Sequence, residues 1–101
     1  MYDTKNIAKL SRFAELAPES FKAFAHFDDA VFKHGVIPLK HKELIAVAVA
    51  LTTQCPYCID IHTKRARQAG ATEQELAETT LIAAAIRAGG AMTHGTHTLA
   101  S

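Results

Sequence analysis

Cys55-Pro56-Tyr57-Cys58, followed by His62, places two thiols and an imidazole within eight positions, and these cysteines are the only two in the chain. Two sulfurs separated by two residues can close into a disulfide and reopen, and a nearby imidazole can take up or return a proton. That is the minimum equipment for thiol redox chemistry. If Cys55 is a helix N-cap, Pro56 takes the first helical position, where its missing N–H costs nothing. Cys58 then falls in the first turn, where unpaired amides and the positive end of the helix dipole stabilise thiolate at either sulfur. Cys58 and His62 share one helix face, with Cβ atoms ~5–6 Å apart, and Cys55 projects within about one-sixth of a turn of that stripe. At that range the imidazole can deprotonate a thiol or hold the thiolate as an ion pair.

The elements that must position these groups are helical in pattern. Alanine supplies 19 of the 101 residues, Trp is absent and only three prolines occur, a composition that leans to helix. A helix is expected around Asn6 to Leu16. A second starts at Pro18, carries Phe21, Phe24, Phe27, Val31 and Phe32, and stops at Gly35. Val36 to Leu39 is a connector. Residues 44–51 are apolar all round, and periodicity alone leaves them a central buried helix or a buried strand. Pro56 to Ala69 is amphipathic and ends at Gly70. Thr72 and Glu75 form a capping box that opens a helix expected to run to about Ala88, with Gly89-Gly90 as its stop and Met92 to Leu99 as a short last segment.

If residues 44–51 were a strand, strand-CPYC-helix would spell a glutaredoxin-like thiol–disulfide reductase. That fold needs two more strands and a proline facing the dithiol from downstream. No proline follows Pro56, and residues 73–88 are helix formers. The expectation is therefore an all-α chain of about five to six helices, a single domain over residues 1–101, with the CxxC at a helix N-terminus. Eleven basic and ten acidic side chains give a net charge of +1, which carries no nucleic-acid or membrane footprint. The first ten residues hold no signal-like apolar run, and no stretch approaches the ~18 apolar residues of a membrane span. The expected location is cytoplasmic.

Glu43 is the second singular feature, the only acid between Asp29 and Asp60. Spacing alone fits a solvated first-turn glutamate complementing the helix dipole. Antiparallel packing of helices joined near residues 54–55 would instead bring it to the motif face.

Lys42-Glu43-Leu44-Ile45-Ala46, then Cys55-Pro56-Tyr57-Cys58-Ile59-Asp60-Ile61-His62, then Ala66 and Ala69-Gly70-Ala71-Thr72 together resemble the AhpD-like alkylhydroperoxidases of the carboxymuconolactone decarboxylase superfamily. The resemblance covers residues 40 to about 90, and a Glu separated by eleven residues from CxxCxxxH is far more specific than CxxC alone. It implies an all-α fold and an enzyme that reduces hydroperoxides by thiol–disulfide exchange. Carried over, Cys58 resembles the peroxidatic thiol, Cys55 the resolving thiol, His62 the group that activates Cys58, and Glu43 the carboxylate of the proton relay. No cofactor is implied beyond the redox-active disulfide, and the implied partners are an external dithiol protein or a peroxiredoxin. Single-unit members form homo-oligomers, so a hexamer or a trimer is expected, in keeping with the apolar 44–51 segment. Tyr57 departs from those relatives that carry a second His between the cysteines. A plain N-cap argument favours Cys55 as the nucleophile, whereas the resemblance and His62 favour Cys58.

Other readings stay open at this point. Cys55, Cys58 and His62 could ligate zinc, with His94 or His97 as a fourth ligand. A decarboxylase proper lacks the dithiol, and an assembly protein would not need it. His26, His34 and His41 have no evident partners. Lys64, Arg65 and Arg67 suit a solvated helix end, His94 and His97 a frayed surface end, and Tyr57 a shield for the dithiol.

Overall fold

Local chemistry decides where most helices start and stop. In the computed structural model, which describes residues 2–101, Pro18 occupies the first turn of α2 (Pro18–Lys33). The chain leaves α2 through extended His34 and then Gly35, whose φ of +114° suits only glycine comfortably. Helix α3 (Leu39–Thr53) ends on Gln54 in the left-handed region, at φ 56°. Cys55 caps α4 (Pro56–Gln68), with Pro56 at its start. The other end of α4 closes as a Schellman turn on Gly70. Gly70 N–H donates to the Arg67 carbonyl at 3.0 Å and Ala71 N–H to the Ala66 carbonyl at 2.9 Å. Thr72 and Glu75 cap α5 (Glu73–His94) reciprocally, at 3.1 and 2.9 Å. A 3₁₀ segment, Thr4–Lys9, feeds α1 (Leu10–Leu16), and another, Gly95–Thr98, follows α5.

The fold is all-α, with no strand among the described residues. Residues 44–51 are helical, so the glutaredoxin-like reading falls. Two expected boundaries are corrected. The helix expected from Asn6 to Leu16 divides into the 3₁₀ segment and α1. Gly89-Gly90 does not stop α5, which continues to His94. A glycine ends a helix by turning left-handed, and only Gly35 and Gly70 take positive φ among the described glycines. Gly89 and Gly90 stay helical, at about 1 kcal/mol each relative to alanine.

Helix α3 is the centre, packed most extensively on α4 and next on α5. Its buried stripe is Glu43, Val47 and Ala50, at steps of four and three residues. The facing stripe of α4 is Cys58, His62 and Ala66, also one turn apart, and Ala66 is fully buried. Small side chains at Ala50, Ala66 and Ala83 let the three helices approach closely. Lys40 joins the start of α3 to Glu75 at 2.9 Å.

The core is small. Val47, Ala50, Ala66 and Ala83 are its only buried apolar side chains among the described residues, and Ile45 and Val49 on α3 are about half exposed. The expectation of a fully buried 44–51 helix therefore holds for one face only within a single chain. The accessible surface is 7887 Å², against about 5,600 Å² for a compact monomer of this mass. The radius of gyration is 16.9 Å, against about 13 Å for a compact chain of this length.

Candidate active site

The α3–α4 hairpin gathers all four residues singled out by the sequence. Cys55 lies at the N-cap, where its sulfur accepts the backbone N–H of Cys58 at 3.3 Å. The two sulfurs are 2.7 Å apart and share a hydrogen bond. That bond and the Cys58 amide hold the Cys55 thiol below its usual range. Cys58 is pushed up to about 11, first by the same hydrogen bond, then by burial and by the charge on Cys55.

Glu43 is 2% exposed, yet it is not unpartnered. Its Oε1 lies 2.6 Å from Nδ1 of His62. The solvated first-turn reading of this glutamate is therefore wrong: Glu43 sits beyond the first turn, at the head of the buried stripe. With the carboxylate ionised, Nδ1 carries the ring proton and donates it in a hydrogen bond, which leaves Nε2 free to accept. His62 and Cys58 line one cavity of about 280 Å³ with Phe32, Ala46, Val49, Ala50, Thr53 and Asp28. Apart from Asp28 and the two reactive groups, its walls are apolar or methyl-bearing. Cys55 is not among its lining residues. A carboxylate is thus bonded to an imidazole, that imidazole and one thiol line a common cavity, and the second thiol is bonded to the first.

Sequence reasoning missed three contributors. Phe32 stacks on the His62 ring at 5.3 Å between centroids and 19° between planes. Lys42 donates to the carbonyls of Val31, at 2.6 Å, and His34, fastening the end of α2 to the start of α3. Asn6 donates to the Tyr57 hydroxyl at 2.9 Å, while the Tyr2 ring meets Tyr57 edge-on at 4.9 Å. Tyr57 thus anchors the N-terminal segment, where the sequence had suggested a shield over the dithiol. No sequence periodicity marks these contacts. They join residues 30 or more positions apart, or a side chain to backbone carbonyls.

The remaining residues lie elsewhere. Lys64 pairs with Asp60 and Arg67 with Glu73 at the surface. Arg65 borders a second cavity with Glu43 and Phe32. His94 and His97 pack edge-to-face on each other at the end of α5, 5.7 Å between centroids. No group of three or more His, Cys, Asp or Glu side chains suited to a metal ion occurs among the described residues. The proposed zinc set of Cys55, Cys58 and His62 is therefore not assembled.

The defining sequence pattern of the carboxymuconolactone decarboxylase family matches residues 18–100. The chain belongs to the carboxymuconolactone decarboxylase family. A crystal structure of a protein from Methanobacterium thermoautotrophicum superposes with a TM-score of 0.82 at 39% identity, covering 87% of this chain and 99% of that one. A carboxymuconolactone decarboxylase family protein from Legionella pneumophila, solved in its apo form, gives a TM-score of 0.77 at 38% identity, covering 82% and 75%. A protein of the cox locus of Paracoccus denitrificans is 45% identical over 81% of this chain and 80% of its own length. An alkyl hydroperoxide reductase of Mycobacterium tuberculosis is 41% identical over 61 residues, 60% of this chain but 15% of that protein. Within the family, the fold and CxxC pair place this chain with its AhpD-like members. No helix among the described residues is long and apolar enough to cross a membrane.

Proposed function

We infer that this chain is an AhpD-like thiol peroxidase that reduces hydroperoxides through Cys58 and Cys55, with His62 and Glu43 as proton relay. The observation that carries the reading is the 2.6 Å Glu43–His62 bond behind an imidazole that shares an apolar cavity with Cys58. A peroxide entering that cavity meets Cys58 and not Cys55. Of the two thiols Cys58 is the one that holds its proton more tightly, and on this reading His62 Nε2 accepts that proton. Once deprotonated, Cys58 attacks the distal peroxide oxygen. The O–O bond breaks, the alkoxide leaves as alcohol with a relay proton, and Cys58 becomes sulfenic acid. Cys55 thiolate then attacks the Cys58 sulfur, the S–OH bond breaks, hydroxide leaves as water with a proton from solvent, and an intrachain disulfide forms. An external dithiol, from a reductant protein or a peroxiredoxin partner, returns both thiols and completes the cycle.

The same reading makes the working form a homo-oligomer. Leu81, Ile82, Ile86 and Met92 on α5 and Phe13, Leu16, Phe24 and Phe27 on α1 and α2 are all more than half exposed. Second copies of the chain would cover these faces and remove the excess surface.

Reduced protein mixed with one equivalent of an alkyl hydroperoxide should lose two thiols per chain and yield one equivalent of alcohol. Retention of both thiols while the peroxide persists would exclude the reading.

A further inference from the structure

We propose that the end of α2 supplies a third wall of the site, in which Phe32 is a positioning residue that fixes the plane of the His62 ring. Glu43 holds one atom of that ring, and one hydrogen bond leaves an imidazole free to swing about it. A flat partner on the ring face removes that freedom. Phe32 meets this need: its ring lies 5.3 Å from that of His62 and only 19° from parallel, within the offset-stacking range. It also lines two cavities, one with His62 and Cys58 and the other with Glu43 and Arg65.

Phe32 is not placed by a large core. It sits one residue before the end of α2, and the groups around it are fastened independently. Lys42 Nζ takes the carbonyls of Val31 and His34, on either side of Phe32 in sequence. These are carbonyls at a helix end that lack intrahelical donors, and a cation there also complements the dipole. Lys42 immediately precedes Glu43. Consecutive residues of α3 therefore act on His62, Glu43 directly at its ring nitrogen and Lys42 through the backbone that carries Phe32. With the ring held on both its edge and its face, it keeps one orientation in the cavity that His62 lines with Cys58.

The consequence for rate rests on the peroxidase reading, but the positioning itself does not, and the test separates them. Phe32→Leu and Phe32→Met keep apolar bulk without a flat face, and Phe32→Tyr keeps the face. In ¹⁵N spectra of reduced protein, wild type and Phe32→Tyr should show His62 with Nδ1 protonated and Nε2 bare. The Leu and Met variants should move both signals towards their average as the ring loosens. Oxidation of the thiols by hydroperoxide should slow about tenfold in Leu and Met, as expected for a misaligned base, and recover in Tyr. Reduction of the preformed disulfide by a small dithiol should not change, whereas general loss of packing would disturb both steps. Should Leu fail to fold, Met decides the question. Wild-type ¹⁵N signals in the folded non-aromatic variants would overturn the proposal. If wild type does not react with hydroperoxide, the peroxidase reading fails and the ¹⁵N result still decides this one.

Discussion

The α3–α4 hairpin and the helices around it are finished to different degrees. In the hairpin every buried polar group has a partner: Glu43 has His62, and the Cys58 amide has the Cys55 sulfur. No buried side-chain nitrogen or oxygen is left without a hydrogen bond among the described residues. The outer helices carry the opposite imbalance, with few polar demands and large apolar side chains in water, among them Met92 at 80% exposed and Ile86 at 70%. The contrast separates two jobs. The polar groups of the proposed site are partnered within one chain by short-range geometry, while the outer faces of α1, α2 and α5 leave large apolar side chains exposed, in keeping with the proposed covering by second copies. A buried hydrogen-bonded pair needs a supporting structure that does not move, and four small or medium core side chains are little support. Covering the outer helices would lend the hairpin rigidity it lacks alone.

Breaking the hairpin should have the largest effect on turnover. Glu43→Gln keeps the size of the side chain but removes its charge, so it no longer favours a protonated imidazole or the Nδ1–H tautomer. Hydroperoxide reduction should fall by about 10²-fold or more, with the fold intact by circular dichroism. Glu43→Ala should in addition cost about 1–3 kcal/mol in denaturant unfolding, because His62 loses its partner. Activity within twofold of wild type in Glu43→Gln would break the comparison by making the buried pair structural only.

Altering the periphery should act on assembly first and on chemistry second. Ile82→Glu combined with Ile86→Glu places two charges on the exposed face of α5. Sedimentation should show a shift to smaller species, while thiol oxidation by peroxide falls only severalfold. Unchanged sedimentation would mean that the α5 face meets no second copy.

Much of this division could be read from the sequence, and the reason is locality. The Thr72–Glu75 capping box, Pro18 at a helix start, and Gly35 and Gly70 at helix ends are each governed by a few neighbouring atoms. Cys58 and His62 on one face follow from the helical period. Gly89-Gly90 misled because the glycine type permits a left-handed turn without requiring one. Glu43 was ambiguous because a charge at the head of an apolar helix suits either water or a buried partner, and only packing against α4 decides. Phe32 belonged to a run of aromatics whose spacing gives no means of distinguishing the one that meets His62. The Lys42 contacts are to backbone carbonyls, which leave no mark on residue types.

The central claim is that the thiol beside His62, and not the capping thiol, attacks the peroxide. Electrostatics lower the Cys55 thiol and raise that of Cys58, whereas the cavity presents Cys58, so the two sulfurs compete on different grounds. The most direct measurement is mass spectrometry of Cys55→Ser and Cys58→Ser, each treated with one equivalent of alkyl hydroperoxide in the presence of a sulfenic-acid trap. The account predicts a trapped adduct on Cys58 in Cys55→Ser and none in Cys58→Ser. An adduct on Cys55 in Cys58→Ser, with Cys58 unmodified in Cys55→Ser, would contradict it.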